Sequence, residues 1–416
     1  MQQTVSVIVV SNGRPDALRR CLLGLSQIDH PNCEVIVVAD RTSWPAITQS
    51  GLAGRIKAAR CDVPNISIAR NAGLALAAGD IVAFIDDDAV PEPTWLSYLT
   101  APFANENVTA AGGFVRGRNG IDFQWRARLA FGDGETTPFE VDELRPTLMT
   151  AGPGRAVKTE GTNMAVRRAA LIAMGGFDEA FAFYLDETDL NLRLAQDSAT
   201  TAIVPLAQVH HGFAASARRR ADRVPRTLFQ IGASLAVFLR KHGGMAHPTP
   251  HVPRAHQRRR LLAHMVAGRL MPGDVRRLLQ TFDAGWAEGL KRTPAQHPQF
   301  SNPPPFVPFG AQIRTHKVIS ARSWHEAKAL MAAKQAVADG QIVSLYLMSP
   351  TGLFHRRQFD ENGVWIQAGG QFGKSDRSDP WWAPWRARRR VDDEAQKMRA
   401  LRDPQSADYN SLHAKR

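Results

Sequence analysis

Cysteine is scarce in this chain: Cys21, Cys33 and Cys61 are all that 416 residues contain. None forms a CxxC pair, and an odd number at wide spacing supports neither a disulfide framework nor a cysteine-based zinc site. A reducing cytoplasm is the expected setting. Equally missing is an uninterrupted apolar stretch of about 18 residues, which argues against a membrane-spanning helix. Met1-Gln2-Gln3-Thr4 leads straight into an apolar strand with no basic leader, so no signal peptide is expected. No internal repeat is visible. Acids are in deficit, 39 Asp and Glu against 52 Lys and Arg, which leaves a formal net charge of +13. The excess is concentrated between Gly212 and Leu270, where twelve Lys or Arg face one acid, Asp222. Such a segment is either a solvated basic face or a surface for phosphorylated substrate, phospholipid or nucleic acid. No nucleic-acid-binding module accompanies it, so a nucleic-acid partner is not expected.

What the sequence does contain is ordinary globular composition, 44% hydrophobic and 22% charged, in a chain longer than one typical domain. Val5 to Val10, Val35 to Val38 and Ile81 to Ile85 are continuous β-branched runs, the pattern of parallel strands covered on both faces. Leu18, Cys21, Leu22 and Leu25 follow Pro15 at amphipathic helical spacing, and a second helix over Ile68 to Ala78 meets a capping Gly79. The order β, α, β, α, β predicts an α/β domain with a doubly wound, mostly parallel sheet flanked by helices. In such a sheet, ligands bind beyond the carboxyl ends of the strands, where Asp40 and the Asp86-Asp87-Asp88 cluster stand.

Further along, Pro225 to Lys241 reads as one amphipathic helix, with core packing or an anionic membrane surface as its two possible partners. Residues 254 to 292 look helical, and Pro294 to Pro308 reads as a stiff linker. Ser323-Trp324-His325-Glu326 has the pattern of a capping box opening a helix that ends before Gly340. Ile342 to Met348 reads as a strand, and Asn362-Gly363 between Leu353 to Phe359 and Val364 to Gln367 marks a hairpin. The expected division is therefore residues 1–243, a helical segment and linker over 244–308, a small α+β accessory unit over 309–372, and a basic, partly disordered tail with several tryptophans over 373–416.

Three carboxylates crowded at a strand end repel one another unless a cation or hydrogen-bond donors share the site. Hard oxygen ligands suit Mg2+ or Mn2+, which often bind through one or two carboxylates plus substrate phosphates. Solvated acids or a helix cap are the alternative. The chain also carries Ala69-Arg70-Asn71-Ala72-Gly73, Ala78-Gly79-Asp80, Gly161-Thr162-Asn163-Met164, Tyr184 to Leu194 and His210-His211. In this order, with Phe84 to Asp88, the set resembles the family 2 nucleotide-sugar glycosyltransferases of GT-A fold, over roughly residues 4 to 243.

That resemblance implies an inverting, metal-dependent transfer from a nucleoside-diphosphate sugar, UDP most readily, to a hydroxyl of a glycan or lipid-linked acceptor. Surface polysaccharide or glycolipid synthesis is the implied setting, in the cytoplasm and in peripheral contact with the inner membrane face. Carried over, Asp88 and His211 would hold Mn2+ or Mg2+, Asp86 would contact the ribose and Asp40 the base. Arg70 would hold aspartates or the diphosphate, Asn163 belongs to the donor-binding set, and Glu187 would be the catalytic base. Two departures stand out. The family shows two acids after the second strand where this chain has Ala39-Asp40, and its Glu-Asp pair is reversed as Asp186-Glu187, which keeps Asp186 as a competing base; of the adjacent histidines, His211 is favoured on spacing and His210 is the competing ligand.

Other signals carry less. Ala368 to Ser375 resembles a phosphate-binding loop, but Asp376 to Pro380 cannot continue as the required helix. His247, His251, His256 and His264 are read as loop residues because Pro248, Pro250 and Pro253 interrupt any helix. Trp381, Trp382 and Trp385 are expected to fold back onto the protein. The rival function is a nucleotidyltransferase on a related fold, which needs a glycine-rich, basic loop after the first strand that Ser11-Asn12-Gly13-Arg14-Pro15 does not supply. A basic nucleic-acid-binding protein is the other rival.

Overall fold

The computed structural model describes residues 3–212, 216–245, 248–293, 299–310, 312–380, 384 and 386–405. In the first half, strands β1 (Val5–Ser11), β2 (Cys33–Ala39), β3 (Ile56–Arg60) and β4 (Ile81–Asp86) alternate with helices α1 (Pro15–Leu25), α2 (Trp44–Thr48) and α3 (Ile66–Leu76). There follow β5 (Ala89–Pro91), α4 (Trp95–Thr100), β6 (Val108–Arg116), β7 (Phe123–Trp125), β8 (Arg128–Phe131), β9 (Thr136–Pro138), β10 (Thr147–Thr150) and β11 (Arg155–Lys158). The last stretch of this part holds β12 (Met164–Arg167), α5 (Arg168–Ala173), α6 (Asp186–Gln196), β13 (Thr200–His211) and α7 (Phe229–His242).

Ten of these strands form one sheet with the path β10-β13-β6-β12-β4-β1-β2-β3, β5 pairing with β13 and β7 with β6. The β4-β1-β2-β3 half is wholly parallel, as the β-branched runs predict, and β12 enters antiparallel between β4 and β6. Because alternate strand side chains point to opposite faces, Val5, Val7 and Val9 pack with Leu18, Leu22 and Trp95 on one side, while Ile8 packs with Leu74, Phe84 and Leu190 on the other. Helices cover both faces. The second helix stops at Leu76, short of Gly79, whose role is close approach: a Cβ there would lie 2.7 Å from the Ser6 nitrogen.

Helix α7 is core, not a membrane anchor. Its Leu235, Phe238 and Leu239 are buried with Leu278, Phe282 and Trp286 of α9 (Pro272–Lys291), so its apolar face is not available to lipid. Between them α8 (His251–Val266) is a continuous helix that includes His251, His256 and His264, because Pro253 falls in its first turn, where a missing N–H costs nothing. His247 lies outside the described residues. Part of the expected linker, 294–298, does too; its remainder runs along the sheet, with the Phe309 nitrogen donating to the Cys33 carbonyl at 2.8 Å and Val307 to Glu34 at 3.1 Å.

The accessory unit is a four-stranded sheet, β14 (His316–Arg322), β15 (Ile342–Ser349), β17 (Val364–Gly370) and β16 (Arg356–Phe359) in that spatial order, with α10 (Glu326–Ala338) on one face. The Asn362-Gly363 hairpin forms as read from the sequence. The capping box does not: Ser323–His325 is a 3-10 turn, and His325 caps α10 without a side-chain hydrogen bond. Ser375 of the phosphate-loop look-alike is buried and donates to Asp379 and Glu394.

Within the tail expected to be partly disordered, Ala387–Arg402 forms α11. This helix escapes apolar periodicity because it is seated by charge as much as by Val391, Met398 and Leu401. Glu394 accepts from Arg357 at 3.0 Å and Gln367 at 2.7 Å. Arg402 donates to both oxygens of Glu92, at 2.9 and 3.0 Å. Trp381, Trp382 and Trp385 lie outside the described residues. Among those described, no helix is long and apolar enough to cross a membrane.

Candidate active site

The carboxyl ends of β1, β2 and β4 open onto one crevice, and the short β5 brings β13 to it. Pairing of β5 with β13 sets His211 opposite Ala89, next to Asp88, so the register alone places a ring nitrogen beside the aspartate cluster. His211 Nε2 lies 3.1 Å from Asp88 Oδ1, and single ligand atoms of Asp86, Asp88 and His211 fall within 4.8 Å of one another. Two carboxylates and an imidazole at that spacing form a donor set for a divalent ion, and the nitrogen suits Mn2+ better than Mg2+. His210 points elsewhere, with Nε2 2.7 Å from buried Glu92.

Cations of the chain surround the cluster. Arg14, in the loop after β1, reaches Asp88 at 3.1 Å and donates through Nε to Asp87 at 3.1 Å; Arg219 stands 3.6 Å from Asp88. Asp87 is fully buried, accepts from Ser11 Oγ at 2.6 Å and is pushed up to about 7 by burial, against the pull of Arg14. Its place is structural support behind the crevice.

Arg70 joins the two acidic groups of the site. Asn65 caps α3 by accepting from the Ser67 and Ile68 nitrogens at 3.0 and 3.1 Å, which fixes where the helix starts and hence where Arg70 points. The Arg70 guanidinium pairs with Asp186, lies 3.4 Å from Asp86 and donates to the Gly161 carbonyl at 3.1 Å. A Cβ at Gly161 would sit 2.3 Å from that guanidinium, so the glycine makes room for it.

Asp186 and Glu187 open α6, where the positive end of the helix favours acids. The backbone immediately before them is strained: Tyr184 and Leu185 hold φ of 77° and 66°, left-handed values unusual outside glycine. This twist turns Asp186 inward to Arg70 and leaves Glu187 beside Lys158, whose Nζ donates to it at 2.9 Å. Burial raises the Asp186 carboxyl, with Arg70 opposing. Burial would also raise Glu187, but Lys158 outweighs it and keeps Glu187 below the usual range, ionised at neutral pH.

The remaining sequence candidates stand apart. Asp40 accepts from the Gly13 and Ser43 nitrogens at 3.0 and 2.9 Å, shaping the loop that carries Arg14. Asn163 does not face the crevice: wholly buried, it accepts from Trp95 Nε1 at 2.8 Å and donates to the carbonyls of Phe114 and Ala207 at 2.9 and 2.8 Å. Sequence reading missed Lys158, Glu160 and Arg14. Lys158 ends β11, 2.7 Å from Glu160 and 5.0 Å from the Trp125 ring centroid. A lysine and glutamate packed against Gly161 in Lys158-Thr159-Glu160-Gly161 were the available signal.

Residues 6–175 match the profile described as Glycosyl transferase family 2. The O-antigen biosynthesis protein RfbC of Myxococcus xanthus is 28% identical over 241 residues, 53% of this chain and 18% of that protein. The pre-mycofactocin glycosyltransferase of Mycobacterium tuberculosis (strain CDC 1551 / Oshkosh) is 26% identical over 261 residues, 60% of this chain and 49% of that one. The chain thus spans less than two thirds of either relative. Among solved structures, the mannosyltransferase PcManGT from Pyrobaculum calidifontis, in complex with GDP-Man and Mn2+, aligns with TM-score 0.42 at 18% identity over 70% of this chain and 88% of that one.

Proposed function

We propose, from the match of residues 6–175 to glycosyl transferase family 2, that the chain is a glycosyltransferase. It moves a sugar from a nucleoside-diphosphate sugar, a UDP sugar first among them, to a hydroxyl of a glycan or lipid-linked acceptor, with inversion at the anomeric carbon. Surface polysaccharide or glycolipid assembly is the setting that fits such an acceptor. The observation that carries the reading is one crevice with two acidic stations, Asp86 and Asp88 with His211 on one side and the Asp186-Glu187 pair on the other, Arg70 pairing with both Asp86 and Asp186.

Asp86, Asp88 and His211 would hold the divalent ion, Mn2+ or Mg2+, which when bound supplies Lewis-acid neutralisation of charge on the leaving diphosphate. Arg14 and Arg219, already drawn to Asp88, add positive charge on the same side. Asp40, at the far end of the crevice, contacts the nucleotide base. Glu187 accepts the proton of the acceptor hydroxyl as that oxygen attacks the anomeric carbon from the face opposite the diphosphate. Lys158 and Trp125 form the wall beside it, and Asp186, held by Arg70, orients the start of α6.

The test separates binding from chemistry. Thermal-shift screening of UDP, GDP, dTDP and CMP sugars with and without Mn2+ identifies the donor. With it, Glu187→Gln loses about 10²- to 10⁴-fold in turnover while donor binding persists. Asp186→Asn weakens donor binding or stability instead. Full turnover by Glu187→Gln assigns the base to another residue, and transfer that survives EDTA removes the metal from the reaction.

A further inference from the structure

We propose that the outward face of α8 is a docking surface for an anionic phospholipid membrane. This helix, lying beyond the segment shared with the family, has no acidic residue, and its sequence His251-Val252-Pro253-Arg254-Ala255-His256-Gln257-Arg258-Arg259-Arg260 continues to Val266. It packs onto α9 through Leu261, Leu262 and Met265, with Arg254 paired to Asp283 of that helix. The opposite stripe, at successive helical turns, is Val252, Ala255, Arg259, Ala263 and Val266, all exposed.

The valines decide between a solvated basic face and a lipid surface. Val252 is 65% and Val266 85% exposed, and Met271, where α9 begins, is 71% exposed, so three large apolar side chains accompany the arginines at this end of the molecule. Around them stand Arg258, Arg259 and Arg269, none of which forms an ion pair with an acid among the described residues, whereas Arg260 donates to Gln257 at 3.5 Å and the inward Arg254 is engaged by Asp283 at 2.7 and 3.0 Å. Apolar side chains flanked by guanidinium groups with no acidic partner among the described residues, on a helix lying along the surface, are the chemistry of the headgroup boundary: the valines and methionine enter it and the arginines meet lipid phosphates. RNA or DNA would satisfy the arginines but leave the valines in water.

The placement suits a reaction on a lipid-linked acceptor. His256 of α8 lies 3.4 Å from Glu135 at the β8–β9 turn, and β8 pairs with β11, which ends in Lys158 beside Glu187. Helix α8 is thus joined to the three-stranded sheet that also carries Lys158, at the end where Phe131 pairs with Arg155. Helix α7, the apparent amphipathic candidate in the sequence, is buried, and the contact moves to the helix that the prolines seemed to forbid.

The experiment uses the full chain and sedimentation with vesicles of phosphatidylcholine alone or mixed equally with phosphatidylglycerol, at low and physiological salt. Binding to the mixed vesicles only, weakened by salt, is expected. A Val252→Asp/Val266→Asp variant and an Arg258→Glu/Arg259→Glu variant each lose roughly tenfold or more of that binding, with unchanged thermal unfolding and unchanged donor thermal shift in Mn2+. Failure to sediment with anionic vesicles, binding undiminished in both variants, or salt-sensitive binding of single-stranded RNA in place of vesicles overturns the proposal. Because donor binding is read separately, loss of the membrane contact and loss of the glycosyltransferase reading are distinct results.

Discussion

Glu160 shows how a single side chain is made costly for the sake of its neighbours. Burial, with Glu187 nearby and only partly offset by Lys158, raises its carboxyl from 4.5 to about 7. Between those values the folded protein holds a proton that the unfolded chain has released, so this group's contribution to stability is full below about 4.5 and is lost as pH rises through 7. Glu160→Gln is expected to raise unfolding stability at pH 7.5 by on the order of 1 kcal/mol or more and to change it little at pH 4. Thermal unfolding across a pH series reads this, and a gain of equal size at both pH values would show that the carboxylate is not strained. Asp86, Asp88, Glu187 and His211 were legible in the sequence because each stands in an ordered motif. Lys158 and Glu160 were not, because their meaning comes from β11 being carried across to α6 by a three-stranded sheet of short, partly polar strands that leave little periodicity.

Among the elements, α3 has the clearest chain of cause. Its side-chain cap at Asn65 fixes the start of the helix, and Asn65 Nδ2 also donates to the Glu179 carbonyl at 2.8 Å, tying α3 to the loop before α6. Asn65→Ala is expected to lower unfolding free energy by about 1–2 kcal/mol and Asn65→Asp, which keeps the cap, by less. Chemical denaturation distinguishes the two, and equal losses would place the effect in the Glu179 bond. The β4-β1-β2-β3 half was readable because its strands are continuous and buried on both faces. By contrast, β3 has alternate exposed positions and small side chains, and α11 buries Arg390, Glu394 and Arg402, residues that read as surface in any periodicity argument.

For the molecule as a whole, the accessory unit is fastened to the sheet through a buried polar knot. Arg402, 1% exposed, lies over the Trp365 ring at 4.5 Å and grips Glu92, which also meets His210; burial would raise Glu92, but Arg402 holds it well below the ordinary range. Arg402→Met strands a buried carboxylate and is expected to cost about 3–5 kcal/mol, whereas Glu92→Leu with Arg402→Met costs far less than the two single changes together. Urea unfolding measures both, and additive losses would show that the pair is not coupled. Glu92 directly follows β5, the strand that presents Asp88 to His211, while its partner is 310 positions later in the chain. The corner that carries Asp88 and His211 therefore gains its Arg402 partner only once nearly the whole chain has been made.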